Sequence, residues 1–456
     1  MIIQGSANQI PLADKSVKIK CSDRVETEMI IQASAHQIPL KDCSIHAVCC
    51  SPPYFGLRRY AGAQDVEWPG GNYSPMTGCP LCIEVPAMRA SLGNESTIEA
   101  FIWHLLLVMR ELKRVLRDDG TCWINLGDSY SGSGKGGNPE NSQFQKQATN
   151  FGSLIAPAKL ESEIAGGNLL AIPHRFALAA QADGWVLRND CVWHKKSAMP
   201  ESVSGWRFSG DDLRRGSWRH TRVHEMVFQF TKGMGYWSDG EVVKEPSNSS
   251  SDARLRRGVS NNHKMLNVDG RSVHSLHKSC ANGDGYSAEG QRNPRSVFSP
   301  SPSPLKDEHY AAFPVDLVRP FVMASTPRKC CSECGRGYAP VVSGLKFDRS
   351  QDRPYGGMNG NPSGKVPTSN TRGCPDPQSY VTSYRATCDC NSPTIPGTVL
   401  DPFCGSGTVG IAAREWGVRF IGLDISAQYN KLAEWRTEGK ATPKVDEMPL
   451  FAGVAA

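Results

Sequence analysis

Val399 and Leu400 run into Asp401-Pro402-Phe403-Cys404-Gly405-Ser406-Gly407-Thr408, a strand passing through a glycine turn into a helix, and they do so close to the end of a 456-residue chain. Gly405, Gly407 and Gly410 satisfy G-x-G-x-x-G, and Asp424 follows Gly405 by nineteen positions at the end of the apolar stretch Phe420-Ile421-Gly422-Leu423. A turn of this kind aims backbone N–H groups at a ligand, and an acid after the second strand holds ribose hydroxyls. A dinucleotide fold normally opens on such a motif. Here a single strand-helix-strand unit remains after it, so the rest of the sheet must come from the other end of the chain. The expected fold is α/β, one mostly parallel sheet assembled from both ends.

The turn alone fits a nicotinamide dinucleotide as well as S-adenosylmethionine (SAM). Asp401-Pro402 immediately before it favours SAM, because a carboxylate there meets an ammonium group, whereas a pyrophosphate would be repelled. The N-terminal half carries Ser51-Pro52-Pro53-Tyr54 after the apolar run Ile45 to Cys50. Two prolines fix φ and remove two amide donors, leaving a stiff turn that offers acceptors. An exocyclic amino nitrogen of cytosine or adenine is a poor nucleophile because its lone pair is delocalised. A site that accepts hydrogen bonds from both amino hydrogens localises that pair. Ser51 offers a side-chain acceptor, the Pro52 carbonyl a backbone one, and Tyr54 a flat face for a base flipped out of the duplex. Taken by itself, the same tetrapeptide is equally an ordinary strand-ending turn.

Together these motifs resemble the β-class DNA amino-methyltransferases, in which the catalytic motif precedes the SAM motif and a target-recognition segment lies between. The resemblance covers nearly everything from Met29 to about Trp435. Residues 51–60 look like the catalytic motif with a phage-type extension, and His309-Tyr-Ala-Ala-Phe313-Pro314 like the segment that closes over SAM. Val192-Trp-His-Lys-Lys196 with Pro200-Glu-Ser-Val203, and His224-Glu225 leading to Phe230-Thr-Lys232, look like later strands of the catalytic half. The resemblance implies a Rossmann-like SAM-dependent methyltransferase fold with circularly permuted motif order. It implies a site-specific DNA methyltransferase with Ser51, Pro52, Pro53 and Tyr54 as catalytic residues. Asp401, Pro402, Phe403, Gly405, Gly407, Thr408, Asp424, Phe313 and Pro314 would hold SAM. Its partner is double-stranded DNA, with room for a cognate restriction endonuclease. Serine at the first motif position favours cytosine-N(4); adenine-N(6) is the alternative. Relatives often carry Gly-Asp where this chain has Ala33-Ser34, so that carboxylate is missing here.

Periodicity places strands at 29–32, 45–50, 121–126, 185–193 and 223–231, and helices at 97–117 and 169–182. Residues 132–150, rich in Gly, Ser, Asn and Gln, read as a loop. Residues 246–304 turn polar, and between 246 and 300 carry an excess of four positive charges, most of the chain's net +6. Just before them Arg207, Arg214, Arg215, Arg219 and Arg222 interleave with Trp206, Phe208 and Trp218, a pattern suited to phosphate and base contact. The organisation expected is a partial duplication at 1–28, a catalytic half at 29–245 and a target-recognition insert at 246–304. A SAM-binding half at 305–328 and 395–437 is interrupted by a zinc-ribbon-like insert at 329–394, and 438–456 form a tail.

Sixteen cysteines in a long chain without an export signal point to thiols and metal ligands, not to disulfides. Cys331-x-x-Cys334 and Cys388-x-Cys390 supply four thiolates for a structural zinc, with Cys330 and Cys374 as substitutes. Cys79-x-x-Cys82 lacks a partner pair. Loss of this metal is expected to leave the catalytic sheet intact. Residues 1–17 match 29–45 at twelve of seventeen positions; only one copy is expected to occupy the edge position beside the SAM pocket, and the second, tethered to Ser51, should take it. Mean hydropathy of −0.40 and an apolar patch broken at His104 exclude a membrane span, and a cytoplasmic enzyme is expected.

Overall fold

The computed structural model describes residues 2–4, 28–56, 65–132, 164–196, 204–246, 291–300, 313–343 and 380–439. The catalytic extension from Leu57 to Tyr60, most of the 132–150 loop, Pro200 to Val203, most of the 246–304 insert, residues 309–312, Cys374 and the tail lie outside these residues. Among the described residues nine strands form one sheet: β1 (Ile2–Gln4), β2 (Glu28–Gln32), β3 (Ile45–Cys50), β4 (Leu116–Leu126), β5 (Val186–His194), β6 (His224–Thr231), β7 (Val297–Phe298), β8 (Thr398–Asp401) and β9 (Arg419–Asp424). Their spatial order is β1-β2-β9-β8-β3-β4-β6-β5-β7. Every neighbouring pair is parallel except the two made by β6, which is antiparallel to both β4 and β5. The two ends of the chain meet where β8 pairs with β3, Val399 opposite Ala47 and Leu400 opposite Val48. The permuted α/β fold expected from the sequence is therefore the fold observed.

Both faces of the sheet are covered, which is why β3 is buried at every position. Its side chains alternate: Val48 and Cys50 enter one core, Ala47 and Cys49 the other. The first core is filled by α1 (Ile98–Val115) and α2 (Ile172–Ala182), the second by α3 (Val315–Ser325), α4 (Thr408–Trp416) and α5 (Ala427–Thr437). Thr97 caps α1 by accepting from the Ala100 N–H at 3.1 Å. The helix stops at Val115, two residues before its expected end, because β3 captures Leu116 directly as a strand partner of Ile45. Residues 117–120 are then looped out of register before Thr121 pairs with Ala47. Among the described residues no helix is long and apolar enough to cross a membrane.

The duplication resolves into two strands. The second copy, β2, pairs with β9 and brings Gln32 opposite Asp424, as expected. The first copy supplies β1, which adds outside β2 in parallel, Ile2 opposite Ile30, so both copies join the sheet and β2 is not the edge strand expected from the sequence, because its outer backbone groups pair with β1. A second compact unit comprises residues 239–294 and 338–387. Its described part includes the antiparallel pair Ala339–Ser343 with Tyr380–Arg385 and a hydrogen bond from Tyr384 Oη to Asp239 at 2.7 Å. Cys331, Cys334, Cys388 and Cys390 fall in the unit that contains the sheet.

Leu106, fully buried in α1, should cost about 2–5 kcal/mol of stability when changed to Ala, the usual range for emptying such a site. Thr97→Ala should cost only about 1 kcal/mol, the value of one N-cap. Denaturant unfolding of both variants checks the contrast.

Candidate active site

The parallel strands β3, β4, β8 and β9 all end at one edge of the sheet, and that edge is where α/β folds bind ligands. Because β6 runs the other way, its first residues arrive at the same edge. Ser51 and Tyr54 follow β3, Asn125 sits near the end of β4, Lys195 follows β5, and Glu225 is the second residue of β6. These five side chains form one hydrogen-bonded cluster. Ser51 Oγ donates to Tyr54 Oη at 3.2 Å, and Tyr54 Oη donates to Glu225 Oε2 at 2.6 Å. Asn125 Nδ2 lies 2.5 Å from Tyr54 Oη and 2.9 Å from Glu225 Oε2. Lys195 Nζ closes the cluster with an ion pair to Glu225 Oε1. Pro52 is buried, and the Tyr54 ring packs so closely on Gly127 that a Cβ there would stand 2.6 Å from the ring.

Asn125, Lys195 and Glu225 were not singled out as site residues in the sequence. The signal available was a polar side chain inside an otherwise apolar strand: Asn125 and Glu225 are both nearly inaccessible.

The glycine turn lies on the same edge. Gly405 and Gly407 both have positive φ, +48° and +80°, which the turn between Asp401 and α4 requires. A Cβ at Gly407 would also press on Ala433 of α5 at 3.1 Å. Asp424 accepts from the Gly405 N–H at 2.9 Å through one oxygen and from the Ser426 N–H at 2.9 Å through the other. It thus holds the turn and the start of α5 in place. Asp401 is buried and accepts from the Phe403 N–H at 3.0 Å. Burial pushes Asp401 up to about 8 and Asp424 up to about 6. Buried Asp401 and half-buried Asp424, with no ion-pair partner among the described residues, suit a ligand that brings an ammonium group and hydroxyl donors. Pro402 and Thr408 are buried at this turn and Phe403 is half-buried. Phe313, next to the buried Pro314, lines a small hollow with Cys50, Asn125 and Leu317.

Arg207 and Arg214 face each other on an exposed hairpin (Arg207–Ser209 with Asp212–Arg214). Trp206, Phe208 and Trp218 stand 63–70% exposed around it, and the Arg215 guanidinium lies over the Trp206 ring at 5.0 Å. Arg219 lies 3.7 Å from the Tyr130 ring centroid. Arg222 is turned inward, 3.5 Å from Asp128, which caps α2 through the Ile172 N–H.

The sulfurs of Cys331, Cys334, Cys388 and Cys390 all lie within 4.8 Å of one another, the compactness that tetrahedral zinc needs. Backbone N–H groups, first that of Cys334, pull Cys331 down to about 6, so one thiolate forms readily. Cys330 is buried outside the quartet, and among the described residues no second cluster includes Cys79 and Cys82. The quartet is bonded to the sheet: His46 of β3 donates from Nε2 to Gly335 O at 2.9 Å while its Nδ1 accepts from the Thr398 N–H at 3.0 Å, and Arg117 donates to Cys334 O at 3.0 Å.

The raised carboxyls set a pH dependence. In the unfolded chain both ionise near 4, so between about 4 and 8 the ligand-free folded protein retains protons that the unfolded chain has lost. Stability should therefore fall as pH rises through that window, and Asp401→Asn should flatten the upper part of the fall. Melting temperature measured against pH in both proteins checks this.

A family model described as DNA methylase, of the N6/N4 methyltransferase type, matches residues 45–330 and 391–434. The chain is 26% identical over 395 residues to the type II methyltransferase M.Cfr9I of Citrobacter freundii, covering 87% of this chain and 82% of that one. It is 25% identical over 389 residues to M.SmaI of Serratia marcescens, covering 85% and 82%. Among solved structures, the cytosine-N4-specific PvuII DNA methyltransferase aligns over 90% of this chain and 86% of its own, with 12% identity and a TM-score of 0.42. With the Ser51 and Asp401 motifs meeting at one sheet edge and the family model matching most of its length, the chain belongs to the N6/N4 family of DNA methylases.

Proposed function

We propose that the protein methylates the N(4) amino group of cytosine at a specific site in double-stranded DNA. The observation that carries this reading is Ser51, whose only proton is engaged by Tyr54, beside the Pro52 carbonyl at the edge where the SAM turn opens. SAM supplies an electrophilic methyl group. Asp401 would neutralise its ammonium group, Asp424 would hold its ribose, and Gly405 to Thr408 would shape the turn around it, with Phe313 and Pro314 beside them. A flipped cytosine directs one amino hydrogen at Ser51 Oγ and the other at the Pro52 carbonyl, and Tyr54 provides its stacking surface. Serine instead of the acid or amide usual for adenine-N(6) favours cytosine. The exposed arginines 207, 214 and 215, with Arg219, would clamp phosphates around the target, and Arg222 would support them from Asp128. A cognate restriction endonuclease acting at the same site is the partner that type II relatives suggest. A soluble, cytoplasmic location suits an enzyme that acts on the cell's own DNA.

We also assign Cys331, Cys334, Cys388 and Cys390 to one structural zinc. Purified protein should carry about one equivalent, and Cys334→Ser should lose it. Because the quartet is hydrogen-bonded to His46 and Arg117, that loss should lower the melting temperature of the sheet unit itself, against the expectation from sequence that the sheet would be indifferent. Metal analysis with thermal unfolding decides the point.

Ser51→Ala should slow single-turnover methyl transfer by roughly a hundredfold, the scale of removing one preorganised polar contact at a reacting centre, with SAM affinity little changed. Methylation-sensitive long-read sequencing of DNA from a host expressing the protein reads base and site together. Modified adenine there would replace cytosine-N(4) with adenine-N(6).

A further inference from the structure

Glu225 lies one side chain removed from the place where a base would sit, yet among the described residues it is the only carboxylate in the Ser51 cluster. A serine hydroxyl has one proton and two lone pairs, so Ser51 can serve as an acceptor only where its proton points elsewhere. Tyr54 has the same ambiguity. Its hydroxyl could donate toward Ser51, which would turn the Ser51 proton toward the substrate and oppose the amino hydrogen there.

The cluster removes that ambiguity from its far end. Ionised Glu225 has no proton to give and therefore can only accept. It takes the Tyr54 proton at 2.6 Å. Asn125 Nδ2, also a donor without choice, points at Tyr54 Oη, at the same Glu225 oxygen and, at 3.4 Å, at Ser51 Oγ, where it meets one of the two serine lone pairs and leaves the other. The Tyr54 oxygen is then left to accept, and Ser51 donates to it at 3.2 Å. The direction of every bond follows from the charge on Glu225, and Lys195 keeps that charge in place from the opposite oxygen.

We propose that Glu225 is a positioning residue for methyl transfer: acting through Tyr54, it commits the Ser51 hydroxyl proton inward and leaves a Ser51 lone pair facing the target amino group. This rests on the methyl-transfer reading of the site and goes beyond it in naming a residue that touches neither base nor cofactor.

Two substitutions break the relay without emptying the site. In Glu225→Gln, Lys195 holds the amide oxygen, so the amide N–H faces Tyr54 and reverses the bond direction. Tyr54→Phe deletes the middle oxygen and keeps the aromatic face. Each should slow single-turnover methyl transfer on unmethylated duplex DNA about ten- to a hundredfold, while dissociation constants for SAM and for the duplex stay within about twofold. The double variant should be no slower than the slower single one, because both changes interrupt the same path. Glu225→Asp, which retains the charge, should recover part of the rate. Wild-type rates in either single variant, multiplicative losses in the double, or losses confined to binding would overturn the role of Glu225 while leaving the methyltransferase intact. Wild-type protein that binds SAM but methylates no DNA would overturn the function and this inference together.

Discussion

The pairing of β8 with β3 is the contact on which the rest depends. It joins residues from opposite ends of the chain, Leu400 opposite Val48, in the middle of the sheet. Loop closure over such a separation is entropically costly, and what offsets it is burial on both faces, since Val399, Leu400, Ala47 and Val48 are all almost completely inaccessible. Parallel pairing also fixes direction. Once β3 and β8 run side by side, the Ser51 turn and the Asp401 turn leave the sheet at the same edge, so the residues proposed to hold the amino group and the methyl donor are neighbours without any further device.

The antiparallel strand β6 does for polarity what that pairing does for position. A fully parallel sheet would send the start of the strand after β5 to the opposite edge, away from Ser51 and Tyr54. Reversed, β6 delivers Glu225 next to Tyr54 and Asn125, so a buried carboxylate finds two donors and a lysine instead of remaining an uncompensated charge. The hydrogen-bonded cluster is thus a consequence of strand direction.

This explains which parts of the molecule were legible in the sequence. Strands β3, β5 and β6 and helix α1 were readable because an apolar period is a local signal, and the Ser51 and Asp401 motifs were readable because their chemistry is written in consecutive residues. The boundary at Val115 and Leu116 was not, because it is decided by capture of Leu116 on β3, a contact absent from local pattern. Glu225 was visible only as part of a family signature. The role proposed for it depends on Tyr54, 171 positions earlier, and nothing in the neighbourhood of either residue announces the other. Arg222 shows the converse, since in sequence it belongs to a basic stripe, while in the fold its charge is directed at Asp128.

The cysteine quartet illustrates why spacing identifies which thiols come together better than it identifies what they support. C-x-x-C and C-x-C in separate segments suggest a self-contained insert, and an insert would be expected to fold or fail alone. Instead the backbone carbonyls of Cys334 and Gly335 are acceptors for Arg117, which follows α1, and for His46, the second residue of β3. Burial pushes His46 down to about 4, so the ring is neutral at pH 7, and the Thr398 N–H on its Nδ1 requires the remaining proton to sit on Nε2, directed at Gly335. One imidazole therefore links β3, β8 and the cysteine turn, and any distortion of that turn is felt where the two halves of the permuted sheet are joined.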